Sequence, residues 1–224
     1  MFKLKRIHQT KGLSDRVYQS LRESIVKNQI KGGEVLYESK VCQQLGVSRT
    51  PVREAFKMLA LEGFLKLMPN KSAVVSEISF DDAEDILQIR GVLEGLAAFL
   101  AAKNLTDFKL EVLENLLKKM KTSAKVKDIN TYTMLNSTFH TQISRICGNK
   151  WLSNMLANLW DHSHMFRARG LAVPGRVKAS LEEHQKIVEA IKERDSFKAE
   201  AAGKNHISNI LRNILDHKKE IKGG

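Results

Sequence analysis

Apolar positions along the chain follow two regimes. Up to Ile78 they come in short, interrupted runs. Val17, Leu21 and Ile25, every fourth residue, read as the buried stripe of a first helix with Ser14 as its cap, ended by Gly32-Gly33. A second, short helix is expected from about Glu38 to Leu45 with Val41, Cys42 and Leu45 inward, and Gly46 supplies a tight turn after it. Ser48 then caps a third helix, in whose first turn Pro51 loses nothing by lacking an N–H; this helix ends at Gly63. Phe64 to Met68 and Ala73 to Ile78 read as two strands around the turn-rich Pro69-Asn70-Lys71-Ser72. Helix, helix–turn–helix and β-hairpin, in that order, predict a winged helix-turn-helix over residues 1–78.

From Ser79 onward Gly and Pro thin out and the period is 3.6 throughout. Ser79 with Asp82 makes a capping-box-like start, and Ile86, Ile89, Leu93, Leu96 and Leu100 follow as a core stripe. Thr106 caps the next helix, with Leu110, Leu113, Leu117 and Met120 inward. Further helices are expected from Ile129 to Cys147, from Lys150 to about Arg169, through a Ser180–Glu183 capping box to Arg194, and from beyond Asp195-Ser196 to about His217, with a loop at Gly170–Gly175. No strand pattern occurs here, so residues 79–224 predict an all-α antiparallel bundle, and the chain as a whole is mainly α.

At 224 residues the chain is long enough for two domains that each bury a core without disulfides. The net charge of +12 fits a polyanionic partner, and residues 1–78 carry more than half of the excess. Cys42 and Cys147 lie far apart in helical, apolar contexts, which fits small core residues in a reducing cytoplasm rather than a disulfide. Met1 to Leu13 is polar and basic, unlike a secretory signal, and no apolar run is long enough to span a membrane.

The charge acquires a shape in Gly46-Val47-Ser48-Arg49-Thr50-Pro51-Val52-Arg53-Glu54-Ala55-Phe56. At about 100° per residue, Arg49, Thr50, Arg53 and Lys57 share one sector, and Val52, Ala55, Phe56 and Leu59 share another. One stripe holds the helix in place while a basic stripe faces outward, where Arg can grip guanine O6 and N7 in a major groove. Ser48 and Thr50 at the helix N-terminus suit a phosphate. A solvated cationic face without a partner is the other reading of the same stripe. These residues, with Ile30-Lys31-Gly32-Gly33-Glu34-Val35-Leu36 before and Leu59-Ala60-Leu61-Glu62-Gly63-Phe64-Leu65 after, resemble the GntR superfamily of bacterial regulators. The resemblance implies that Arg49 and Arg53 meet bases or phosphates of a double-stranded operator. It implies help from Glu38, Ser39, Lys40, Ser48, Thr50, Pro51 and Lys57, with Lys71 as the wing's contact. Gly33 stands where the family usually has Pro, and Ser72 where it usually has a wing-tip Gly.

In the bundle, His140, His184 and His206 all project near the interior, and Asn136, four residues before His140, shares its face. Three histidines on separate helices read either as locally hydrogen-bonded core residues or as one shared site for Zn²⁺, Ni²⁺ or a similar ion. Residues 79–217 resemble the FCD ligand-binding domain of the FadR subfamily through Ile89-Arg90 with Glu94, Phe139-His140, Glu183-His184, Ala190-Ile191, Asp195 and His206. The resemblance implies a divalent metal on Asn136, His140, His184 and His206, often completed by a carboxylate effector. It also implies that Arg90 turns into the pocket toward that carboxylate; an i,i+4 pair with Glu94 is the alternative for Arg90. His162 and His164, near Trp160, Arg167 and Arg169, are expected at the surface.

The function expected from all of this is a cytoplasmic, homodimeric, sequence-specific transcriptional repressor, modulated by a small carboxylate and a divalent metal ion (Zn or Ni). An enzyme that activates water on a three-histidine site is the competing reading. Against it stand the lack of HExxH, of a nucleophile elbow, of a phosphate-cradling Gly-rich loop and of a general-base carboxylate beside the histidines. A third reading, RNA or architectural binding, predicts tight binding without sequence preference.

Overall fold

The structure is a computed structural model that describes residues 12–166 and 175–222. The N-terminal segment, most of the Gly170–Gly175 loop, Arg167 and Arg169 lie outside the described residues. The chain divides into two compact units, residues 1–78 and 79–224.

The first unit holds α1 (Leu13–Val26), β1 (Val35–Tyr37), α2 (Glu38–Leu45), α3 (Arg49–Leu61), β2 (Leu65–Met68) and β3 (Ser72–Val75). Val17, Tyr18, Leu21 and Ile25 of α1 and Val52, Ala55, Phe56 and Leu59 of α3 form its buried core together with Phe64. Helix α1 starts one residue before the expected Ser14 cap, at Leu13, because Gly12 occupies the capping position without a side-chain bond. Ser48 has the extended backbone of a cap but its hydroxyl makes no capping bond. Gly46 closes α2 with φ of 65°, the left-handed turn expected of it, but Leu45 is largely exposed rather than inward.

The sheet has three strands, not two. β3 lies between β1 and β2, antiparallel to both, with Leu36 opposite Ala73 and Leu67 opposite Ala73 on the other side. Gly33, just before β1, has φ of +80°, a conformation closed to the Pro expected there, whose ring holds φ near −65°. At the wing tip the left-handed residues are Asn70 and Lys71, at φ of 64° and 57°. Ser72 therefore begins β3 with ordinary backbone, and its hydroxyl donates to the Pro69 carbonyl at 3.0 Å.

The second unit holds α4 (Phe80–Lys103), α5 (Asp107–Lys125), α6 (Ile129–Ile146), α7 (Lys150–Phe166), α8 (Arg176–Lys192) and α9 (Ser196–Lys222), all helical among the described residues. Its core gathers Leu113, Met120, Tyr132, Phe139, Leu156, Ile187 and Ile191. The Ser79–Asp82 capping box is formed in both directions, and Thr106 accepts from the Lys109 N–H. The buried face of α4 is not the expected one. Ala83, Leu87, Arg90, Glu94, Ala97, Ala98 and Ala101 face inward, whereas Ile89 is 52 % and Leu96 40 % exposed. Apolar residues fall on every side of this helix, so its large side chains do not mark the inner face. The small ones do, because α9 packs along it at close range. A Cβ on Gly203 of α9 would stand 3.2 Å from the Glu94 carbonyl and 3.3 Å from the Gly95 Cα. The Ser180–Glu183 pair is also not a helix start: α8 begins at Arg176, after Gly175 at φ of 81°, and Ser180 is buried inside it.

Candidate functional site

Two constellations carry chemistry, one in each unit. In the first, α2 and α3 flank the left-handed turn at Gly46, which aims the N-terminal half of α3 outward. Ser48, Arg49, Thr50, Arg53 and Lys57 are exposed along one side of it, opposite the buried Val52, Ala55, Phe56 and Leu59. Ser39 and Lys40 of α2 and Lys71 at the wing tip are exposed as well. The ammonium of Lys40 sits 5.5 Å from the Tyr37 ring centre. Two expected contacts are placed otherwise. Pro51, in the first turn of α3, is buried and packs the scaffold. Glu38 is buried too, and its carboxylate accepts from Arg53 Nε and Nη2, both at 3.1 Å.

That pairing makes the two arginines unequal. Arg49 is open to solvent, while the Arg53 guanidinium is held in a fork by Glu38 yet remains 47 % exposed. The bonds from Arg53 hold the Glu38 carboxyl below its usual range against the effect of its burial. Its backbone N–H donates to the Lys71 carbonyl at 3.1 Å, tying the wing tip to the start of α2. A carboxylate with a depressed folded pKa binds fewer protons folded than unfolded. Its stabilisation is therefore present above its normal pKa near 4.5 and is lost as pH falls through the depressed value. Glu38→Gln should thus be less stable than the parent at pH 7, and the two unfolding curves should converge in acid. The same variant should narrow the affinity gap between a preferred and a random duplex, because Arg53 loses its orientation; competition gel shifts read this directly.

The second constellation lies inside the bundle. His140 on α6, His184 on α8 and His206 on α9 are all buried, with ring centroids 5.1 Å (140–184), 5.1 Å (140–206) and 4.5 Å (184–206) apart. One ring nitrogen from each lies within 4.8 Å of the others. Asn136 is buried one turn before His140 on the same helix. The Nε2 atoms of His140 and His206 and both nitrogens of His184 have no hydrogen-bond partner. Burial pushes the His184 imidazolium well down, helped by the neighbouring His206 and His140, and burial carries His206 down to about 4 despite the pull of Glu183. At neutral pH these two rings are therefore uncharged, the form in which imidazole binds a metal.

Contrary to the expectation that no carboxylate stands beside the histidines, two back them. Glu94 Oε2 lies 2.8 Å from His140 Nδ1, and Glu183 Oε2 lies 2.7 Å from His206 Nδ1. Arg90 is the Glu94 partner of the alternative reading: its Nε donates to Glu94 Oε1 at 3.0 Å and its Nη1 to Ser163 Oγ at 2.9 Å, all out of solvent. Burial alone would raise both carboxyls. His140 and Arg90 outweigh it at Glu94, holding it well below the usual range, and bonds from His206 and Arg176 bring Glu183 to about 2. The role of Glu183 was hidden by its reading as a cap, though Arg176 seven residues earlier, two turns up the same face, was a visible signal. His162 is buried rather than at the surface, and the His164 ring lies 3.2 Å from Ser137 Oγ. The cavity beside His140, lined by Glu94, Trp160, Leu156 and Gly203 among others, measures about 10 Å³. That is room for about one water.

A lone pair buried without a partner costs roughly 1–3 kcal/mol, so three of them in one place, one from each ring, call for a shared electrophile. The convergent imidazoles, with His184 and His206 uncharged, fit a borderline cation of the Zn²⁺ or Ni²⁺ type, and Asn136 lies one turn away on the His140 helix.

Comparison with known proteins follows the two units. Residues 13–75 match the model of the bacterial regulatory proteins of the gntR family, and residues 85–209 match that of the FCD domain. The transcriptional repressor RspR of Escherichia coli is 26 % identical over 214 residues, covering 96 % of this chain and 94 % of that protein. The gluconate operon transcriptional repressor of Bacillus licheniformis is 29 % identical over 187 residues, covering 80 % of this chain and 76 % of that one. The solved structure of E. coli McbR/YncC superposes with a TM-score of 0.75 at 25 % identity, covering 94 % of this chain and 99 % of that chain.

Proposed function

The chain belongs to the GntR family of DNA-binding transcriptional regulators and carries an FCD domain, and from that premise we propose that it is a homodimeric repressor whose hold on its operator is set by a divalent metal ion and a small carboxylate in the bundle. It is a regulator and not an enzyme, as its relatives are. The observation that carries the sensing part is the convergence of buried, unpartnered imidazole nitrogens from three helices. His140, His184, His206 and Asn136 would hold the ion, which when bound offers an electrophilic centre to a carboxylate oxygen.

Charge supports an anionic effector. Arg90 with Glu94, and Arg176 with Glu183, cancel in pairs. The His184 and His206 rings are neutral and an amide brings no charge, so a divalent ion there has its charge uncompensated by them, which a carboxylate offsets. Such a ligand acts on DNA binding when it favours one arrangement of the bundle over another. Differential affinity of that kind is what shifts a conformational balance. On the DNA side, Ser39, Lys40, Ser48, Arg49, Thr50, Arg53, Lys57 and Lys71 form the reading surface, with Glu38 and Pro51 supporting it. Dimerisation presents two α3 helices to two half-sites. No described helix is long and apolar enough to cross a membrane, and we place the protein in the cytoplasm.

The test is selection of duplexes from a random pool, followed by gel-shift titration with metal-loaded and chelator-stripped protein. Selected duplexes should be two-fold symmetric, and stripping should change their affinity about 5- to 150-fold, the range of a typical coupling. Equal affinity for selected and random duplex would overturn the operator reading, and indifference to stripping the metal reading.

A further inference from the structure

We propose that Glu94 and Glu183 are positioning residues: each fixes which ring nitrogen its histidine, His140 or His206, presents to the centre, and each is itself oriented by a buried guanidinium. The inference rests on the metal reading above and deepens it. The two relays are built alike from different helices. In one, Arg90 Nε and Trp160 Nε1 donate to Glu94 Oε1 at 3.0 and 2.9 Å, and Glu94 Oε2 faces His140 Nδ1 at 2.8 Å. In the other, Arg176 Nη1 and Asn209 Nδ2 donate to Glu183 Oε1, both at 2.9 Å. Arg176 Nη2 donates to Oε2 at 2.7 Å, and the same oxygen faces His206 Nδ1 at 2.7 Å.

An ionised carboxylate only accepts, so the proton between it and the ring belongs to Nδ1. Both rings are thereby left with a bare Nε2, and both of those atoms are buried without a partner. The guanidiniums have a second effect. With Trp160 and Asn209 they saturate Oε1 of Glu94 and Oε1 of Glu183, which holds these carboxylates behind the histidines rather than in the centre as ligands. His184 has no such relay, since neither of its nitrogens has a partner, and its tautomer is free to follow the ion. Outer carboxylates of this kind commonly contribute 10- to 100-fold in metal affinity.

The test uses the full-length protein with ¹⁵N-labelled histidine, stripped of metal, at pH 7. Ring nitrogen shifts should assign Nδ1–H tautomers to His140 and His206 and a mixture to His184. Glu183→Gln should disturb only His206, and Glu94→Gln only His140. Each should weaken Co²⁺ binding, read by competition with a chromophoric chelator, 10- to 100-fold. Where Glu94→Gln strands Arg90 and does not fold, Glu94→Gln with Arg90→Met removes the stranded charge and is measured instead. Nε2–H tautomers at His140 and His206 in the parent, or variants that keep the parent's Co²⁺ affinity, would overturn the inference. Nδ1–H tautomers in a parent that takes up no Co²⁺ would support the tautomer assignment and overturn the metal reading alone.

Discussion

His184→Leu is expected to lose about 10²- to 10³-fold in affinity for Zn²⁺ and, in the same protein, to raise the unfolding temperature of the metal-free form. The first half follows from donor count. If a four-donor structural zinc site is worth roughly 10–16 kcal/mol, one donor accounts for about a quarter of it. The second half follows from burial. His184 is 0 % exposed and neither ring nitrogen has a partner, so the metal-free protein carries two desolvated polar atoms there. Leucine has similar bulk and no polar atom, and its neighbours Phe139 and Ile187 are apolar. Removing both unsatisfied groups should return about 1–3 kcal/mol. A histidine kept for packing alone gives the opposite sign, a loss of stability with no change in metal uptake. Thermal unfolding in chelator and in excess Zn²⁺, for parent and variant, separates the two: the parent should gain greatly from the ion and the variant little.

The second large effect is at α3. Arg49→Ala should weaken binding to a selected duplex by about 1–3 kcal/mol and relax base choice at one position of each half-site, the loss of one bidentate grip on a base. Lys57→Ala is the matched control. Lys57 pairs with Glu54 at 3.1 Å on the open face, and its expected partner is a phosphate. It should weaken selected and random duplexes alike and flatten the plot of log K against log salt by about 0.9. If Arg49→Ala instead behaves as Lys57→Ala does, the residue anchors the backbone and the sequence is read elsewhere. Measuring both duplexes at several salt concentrations gives the answer in one series.

Much of this was visible in the chain. The turn at Gly46 and the two-sided character of α3 follow from residue spacing alone; spacing also puts His140, His184 and His206 at inward phases of their helices, but only the family resemblance implied that they share one site. What escaped reading depended on neighbours distant in sequence. β1 is three residues long, too short for alternation to register, and is a strand only because β3 lies beside it. The inner face of α4 is set by how closely α9 approaches and not by where its large side chains fall. Arg53 and Glu38 looked like two independent surface groups, yet the fold brings them into one fork whose carboxylate is buried. Glu183 carried a plausible local explanation, a helix cap, which concealed its bonds to Arg176, His206 and Asn209.

The seam between α4 and α9 constrains how the bundle can respond to anything bound at its centre. Where Gly203 meets Gly95, backbone lies close to backbone, and beside it the stem of Lys204 covers Gly95. Glu94 is the residue next to that contact and His206 is less than a turn from it. A shift of either group therefore bears directly on a seam where a single added methyl would press on the backbone of the facing helix.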